Sequence, residues 1–91
     1  MRNQKPVKPW RNKGYREFVA DNPCLYCRID GRSAPHHCRD LVETGCGTKP
    51  GDQWCIPVCD KCHTALHDYP DYISKQTKLN FIADSLNRWM K

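Results

Sequence analysis

The sequence predicts a small α+β domain held together by a metal staple instead of a large apolar core. Three observations carry this reading. The chain has 91 residues and only 38% of them are hydrophobic, which is little for a domain that must fold by burial alone. Seven residues are cysteine, and four of these stand as two Cys-x-x-Cys pairs, Cys24/Cys27 and Cys59/Cys62. Short β-prone runs and helical segments both occur around those pairs.

The elements follow in chain order. Residues 1–13 contain two prolines and few apolar side chains, and read as a flexible basic arm. Within residues 1–20, Arg2, Lys5, Lys8, Arg11, Lys13 and Arg16 face one acid, Glu17, in a chain of net charge +5. Such an arm either attracts polyphosphate through counterion release or serves as a solvated tail, and composition favours neither. Tyr15–Ala20 forms a short helix that Asp21-Asn22-Pro23 breaks. Residues 24–31 make a first knuckle, turned at Gly31. Residues 33–42 hold a short strand with His36 and His37, and residues 43–52 a polar, glycine-rich loop. Trp54–Val58 is apolar and β-prone, a second strand leading into the second knuckle at Cys59.

A helix then starts at Lys61 or Cys62 and runs to about His67, where Asp68, Tyr69 and Pro70 end it. The segment 71–90 is predicted as one amphipathic helix. Leu79, Ile82, Leu86 and Trp89 form its core stripe, and Lys75, Lys78, Arg88 and Lys91 lie on other faces. Residues 14–91 are expected to make one domain, with the two strands and following helix in about 33–68.

The cysteine pattern argues for a metal over disulfides. Seven is an odd number, the N-terminus shows no apolar signal region, and no stretch approaches membrane-spanning length. The expectation is a cytoplasmic protein with no membrane partner. Zinc is held tetrahedrally by four thiolates, and two Cys-x-x-Cys turns can supply them. A site made of Cys24, Cys27, Cys59 and Cys62 would pin the two ends of residues 28–58 together. Structural zinc contributes on the order of 10–16 kcal/mol in small peptides, so folding should depend on it. Cys38, Cys46 and Cys55 are left over. Cys55, inside the apolar run, reads as a small buried hydrophobe.

The four histidines are the most informative residues. His63 and His67 lie one turn apart on a helix, a spacing that places both on one face as ligands of one metal. His36 and His37 are adjacent on a strand, so they point to opposite sides and do different jobs. One can complete a metal site while the other acts as a base. That combination suits phosphodiester hydrolysis, in which a metal neutralises phosphate charge and an imidazole accepts a proton from water.

The order Cys-x-x-Cys, His36-His37, Pro57-Val58-Cys59-x-x-Cys62-His63-x-x-x-His67 resembles the HNH (His-Me finger) endonuclease superfamily. Gly45-Cys46-Gly47-Thr48-Lys49-Pro50-Gly51-Asp52 before Ile56-Pro57-Val58-Cys59 is similar to small phage- and prophage-borne nucleases and to the nuclease domain of Ref-type recombination-enhancement proteins. The likeness covers residues 20–70. It implies a ββα-metal finger with a structural four-cysteine zinc. It also implies a catalytic metal (zinc, nickel, manganese or magnesium) on His36, His63 and His67, with His37 as general base. Imidazole ligands favour a transition metal over magnesium. The asparagine of the HNH pattern is replaced by Trp54, and Asp52 stands where Ref-like chains carry an aspartate that orients the loop or the base.

Lys49, Arg39, Arg11, Lys13 and Arg16 are the candidate phosphate contacts, and Arg39 is also a candidate for stabilising transition-state charge. The implied partners are DNA and a recombinase or other phage recombination protein. A zinc-knuckle module that binds nucleic acid without cutting explains the cysteines and the arm equally well, but gives no reason for four clustered histidines.

Overall fold

The computed structural model describes residues 9–29, 33–42 and 49–91. Cys46 and most of the glycine-rich loop, Gly31 and the first eight residues of the arm lie outside the described residues.

Helix α1 (Lys13–Ala20) starts where Asn12, in extended conformation, accepts a hydrogen bond from the Tyr15 amide at 2.9 Å. Tyr15 and Val19, one turn apart, are buried on its inner face. Strands β1 (Ala34–His37) and β2 (Cys55–Val58) form an antiparallel ribbon with Ala34 opposite Val58, Pro35 opposite Pro57, His36 opposite Ile56 and His37 opposite Cys55. All four β2 residues are buried. The ribbon continues past β1 through the Cys38 amide, which donates to Trp54 O at 2.9 Å.

Helix α2 (Asp60–Asp68) leaves the ribbon at once, with Cys59 in extended conformation as its cap and Asp60 in the first turn. It buries Cys62 and Leu66. A 3-10 turn at Pro70–Tyr72 leads to α3 (Lys75–Trp89), capped by Ser74, whose hydroxyl accepts from the Thr77 amide. The main core gathers Ile56, Val58, Cys62, Leu66, Ile73 and Ile82, and a second cluster surrounds Tyr15, Val19 and Cys55. Phe81 and Leu86 touch both clusters, so α3 joins the two. Among the described residues the result is a small α+β architecture of three helices and a two-stranded sheet.

Several boundaries differ from expectation. Helix α2 begins at Asp60, ahead of Lys61, because the extended Cys59 backbone serves as its cap. Helix α3 begins at Lys75 because Pro70 nucleates a separate turn. The buried face of α3 is Lys78, Ile82 and Ser85, whereas Leu79 is 41% exposed and Trp89 36% exposed. Lys78, expected away from the core stripe, is therefore part of it. Two acceptors explain its burial: its ammonium donates to Asp40 Oδ2 and to Pro70 O, both at 2.7 Å. Ser85 is similarly satisfied by the Tyr15 hydroxyl at 3.0 Å.

The arm also differs where it can be seen. Residues 9–12 are pinned to the segment before β2: the Asp52 amide donates to Trp10 O at 2.8 Å, and Arg11 donates to Pro50 O and Lys49 O. No helix among the described residues is long and apolar enough to cross a membrane.

Candidate functional site

The first site is a cysteine cage. Cys24 and Cys27 lie on a tight turn after α1, closed by the Arg28 amide donating to Cys24 O at 2.9 Å. Arg28 itself has φ 63, a left-handed conformation that L-residues other than glycine seldom adopt. The Leu25 amide donates to Pro57 O, which fixes the turn against β2. Cys59 caps α2 and Cys62 sits in its first turn. The four sulfurs all lie within 4.8 Å of one another.

Two of the separations test the fit to zinc. Cys27 Sγ is 3.6 Å from Cys59 Sγ and 3.9 Å from Cys62 Sγ. A tetrahedral zinc ion with Zn–S bonds of about 2.3 Å sets its sulfurs about 3.8 Å apart. The cage matches that spacing, so the four cysteines can hold zinc. Burial raises the Cys24 thiol, but backbone bonds from Cys27, Cys59 and Tyr26 outweigh it and pull the value down to about 6. Burial and the neighbouring thiols push Cys62 up. Four thiolates this close need a cation, and a dication supplies it.

The second site is a cavity of about 580 Å3 lined in part by α2. β1 contributes His36 and His37, α2 contributes His63 and His67, and α1 contributes Arg16. Arg39 and Lys49 line it from the flanking segments, and Lys78 from α3. The rings of His36 and His63 meet edge-on, centroids 5.0 Å apart. Burial, then the neighbouring charges of His63 and Lys78, push His36 down to about 4, so it is a neutral imidazole at neutral pH. His36, His63 and His67 share the cavity without closing into a group of ligand atoms as tight as the cysteine cage.

His37 turns towards Asp52. Its Nε2 lies 2.9 Å from Asp52 Oδ1, and Asp52 is fully buried. Asp52 also accepts from Arg16 Nη1 at 2.6 Å, from the Asn12 amide at 2.7 Å and from Arg11 Nη1 at 3.4 Å. Burial raises this carboxyl, but the bonds from His37, Asn12 and Arg16 more than offset it and hold Asp52 below the usual carboxylate range. An ionised carboxylate only accepts, so Nε2 of His37 must donate and a neutral ring keeps its lone pair on Nδ1. Burial lowers His37, and the bond to Asp52 counters that in part.

The adjacent histidines therefore do part ways, His36 to His63 and His37 to Asp52, as strand geometry requires. Asp52, expected to orient the loop or the base, lies within hydrogen-bonding distance of His37. His63 and His67 reach the cavity together from one face of α2. Arg39 and Lys49 border the cavity, whereas Lys13 is exposed on α1 and borders none of it. Arg11, an exposed candidate phosphate contact, donates to the Pro50 and Lys49 carbonyls and to Asp52.

His37, Asp52 and Cys55 bring three ligand atoms within 4.8 Å, yet the chemistry does not suit a cation there. Arg11 and Arg16 already neutralise Asp52, and burial, with Asp52 nearby, pushes the Cys55 thiol up to about 12. Cys38 is likewise buried with its thiol raised to about 12, and stands outside the cysteine cage. The sequence reading missed Lys78 and Asp40. The one available signal was that Lys78, Ile82 and Ser85 also share a helical face.

A four-cysteine cage beside a cation-lined histidine cavity defines the class: a small α+β domain with a metal-competent staple. The chain belongs to the family described as protein of unknown function DUF968, whose model matches residues 1–88. It is 32% identical over 76 residues to the uncharacterized protein YdfU of Escherichia coli (strain K12), an alignment covering 79% of this chain and 22% of that protein. The chain thus spans well under half of that relative's length. No solved structure matches it.

Proposed function

We propose that this protein is a divalent-metal-dependent endonuclease of the HNH type that hydrolyses DNA phosphodiester bonds. The observation that carries the reading is the content of the cavity. Among the described residues, four histidines and four cationic side chains line it, and the one carboxylate there, Asp40, is paired with Lys78. A cavity of that sign takes an anion, and imidazoles beside it are the groups that bind a transition metal or accept a proton.

In this reading β1, β2 and α2 are the ββα-metal finger, and zinc in the cysteine cage is structural. His36, His63 and His67 would hold the second divalent metal. When bound, that metal neutralises charge on the scissile phosphate and steadies the leaving oxygen. Nδ1 of His37 accepts a proton from the attacking water. Asp52, bonded to Nε2, fixes the ring and stabilises the imidazolium that forms. Arg39 and Lys49 hold the phosphodiester. DNA is the proposed partner, a bacterial cytoplasm the proposed setting, and the Ref-like loop motif extends the proposal to a recombination protein as a second partner.

The test is plasmid nicking by zinc-loaded protein with added magnesium, manganese, nickel or zinc, beside His37→Ala. Wild type should nick with at least one metal, and the folded variant should lose about 10²–10⁴-fold in rate. If both proteins bind DNA and neither cuts with any metal, the protein is a zinc-knuckle binding module instead.

A further inference from the structure

Arg16 lines the cavity, and its guanidinium is held by a carboxylate. It emerges from α1 beside the cavity wall, and its Nη1 is fixed on the fully buried Asp52 at 2.6 Å. That contact uses one edge of the guanidinium. Its Nε and Nη2 have no protein acceptor among the described residues, and the side chain remains 34% exposed. Arg11, the other arginine on Asp52, is different: its Nη1 and Nη2 already reach Pro50 O and Lys49 O.

A guanidinium offers five donors in a rigid planar fork that matches phosphate geometry, and less side-chain entropy is lost when the fork is already oriented. Asp52 orients it here. The same carboxylate holds His37 through its other oxygen, Oδ1 for His37 and Oδ2 for Arg16. The arginine and the histidine are thus braced by one buried group.

We propose that Arg16 is a pre-oriented phosphate clamp, presenting its free edge to an oxygen of a bound phosphodiester while Asp52 holds it in register with His37. This deepens the nuclease reading by naming the residue that sets where the scissile phosphate sits relative to the base. It assigns the basic N-terminal region two roles, since Arg16 meets the ligand whereas Arg11 secures the scaffold. Lysine cannot replace it, because one ammonium cannot bridge Asp52 and a phosphate in the same fixed plane.

The experiment uses the full, zinc-loaded chain with no second metal added, and inorganic phosphate as the probe. Phosphate is titrated while the arginine Nε–Hε signals are followed by NMR. The Arg16 signal should move with saturation and the Arg11 signal should not. Arg16→Gln, and Arg16→Lys as a second variant, should each weaken phosphate binding about tenfold, the scale of one charge-assisted hydrogen bond. Arg11→Gln should change it less than about twofold, since both terminal nitrogens of Arg11 are already bonded to backbone carbonyls. Zinc content and circular dichroism establish that each variant is folded. If Arg16→Gln does not fold, the movement of the wild-type Arg16 signal decides. An Arg16 signal that ignores phosphate, or equal losses in the Arg11 and Arg16 variants, overturns the clamp. The nicking assay separates the two proposals. Phosphate binding at Arg16 without cutting by any metal leaves the clamp standing and removes the nuclease. Cutting that survives unchanged in Arg16→Gln does the reverse.

Discussion

The cysteine cage and the histidine cavity share α2, yet they are built on opposite plans. In the cage, four like side chains come from two short turns and converge until every sulfur is within 4.8 Å of the others. In the cavity, four histidines from two elements remain around an open volume of about 580 Å3, interleaved with cations from α1 and α3. A site that only has to hold a metal closes upon it. The cavity's side chains stand apart and are supported from outside, as Asp52 supports His37 and Asp40 supports Lys78.

That contrast can be broken most severely at the cage. Cys62→Ser, or removal of zinc with a chelator, should unfold the domain, since structural zinc is worth on the order of 10 kcal/mol to a peptide of this kind. Circular dichroism during chelator titration should show loss of helix together with loss of bound zinc. A chelated protein that keeps its helices would mean that the apolar clusters suffice and the cage is dispensable.

A smaller effect is expected where the cavity is supported. Lys78→Met leaves Asp40 without its partner and should cost about 3 kcal/mol in urea unfolding, as breaking a largely buried pair does. Adding Asp40→Asn should recover much of that loss. A single variant as stable as wild type would show that the pair is held by α3 packing and contributes nothing itself.

The mildest probe is pH. His36 titrates near 4 when folded and near the ordinary histidine value of 6.5 when unfolded. Between those values the unfolded chain binds a proton that the folded chain does not. Stability should therefore fall as pH drops from 6.5 towards 4, and level off with respect to this group below 4. His37 is lowered too and acts in the same direction. Comparing denaturant midpoints at pH 7 and 5.5, His36→Gln should lose less stability than wild type, and equal losses would assign the slope to other groups.

The same contrast explains what could be read from the sequence. Cys24-x-x-Cys27, Cys59-x-x-Cys62 and His63-x-x-x-His67 are local spacings, and local geometry turns each into a shared face or turn. The two strands and three helices were visible for the same reason. The supports were not. The bonds from Arg16 and Asn12 to Asp52 join residues 36 and 40 positions apart, and Lys78 meets Asp40 across 38. A pattern count treats lysine as a marker of solvent, so it rotated α3 until Leu79 faced inwards and Lys78 outwards. Only the distant acceptors reverse that choice. For Arg11 likewise, charge density says nothing about the carbonyls of Lys49 and Pro50 that it meets.

The ribbon carries one more consequence. Pro35 and Pro57 stand opposite each other, and neither has an amide hydrogen to exchange, so they occupy a pair without hydrogen bonds. At such a pair the backbone polar groups face away from the partner strand, towards the outer edges of the sheet. Both edges of this two-stranded sheet thus lack a donor at mid-length, and the Pro57 carbonyl is already taken by the Leu25 amide. Two short strands with bare edges would otherwise invite a third from a neighbouring molecule. The paired prolines make the ribbon a poor template for self-association.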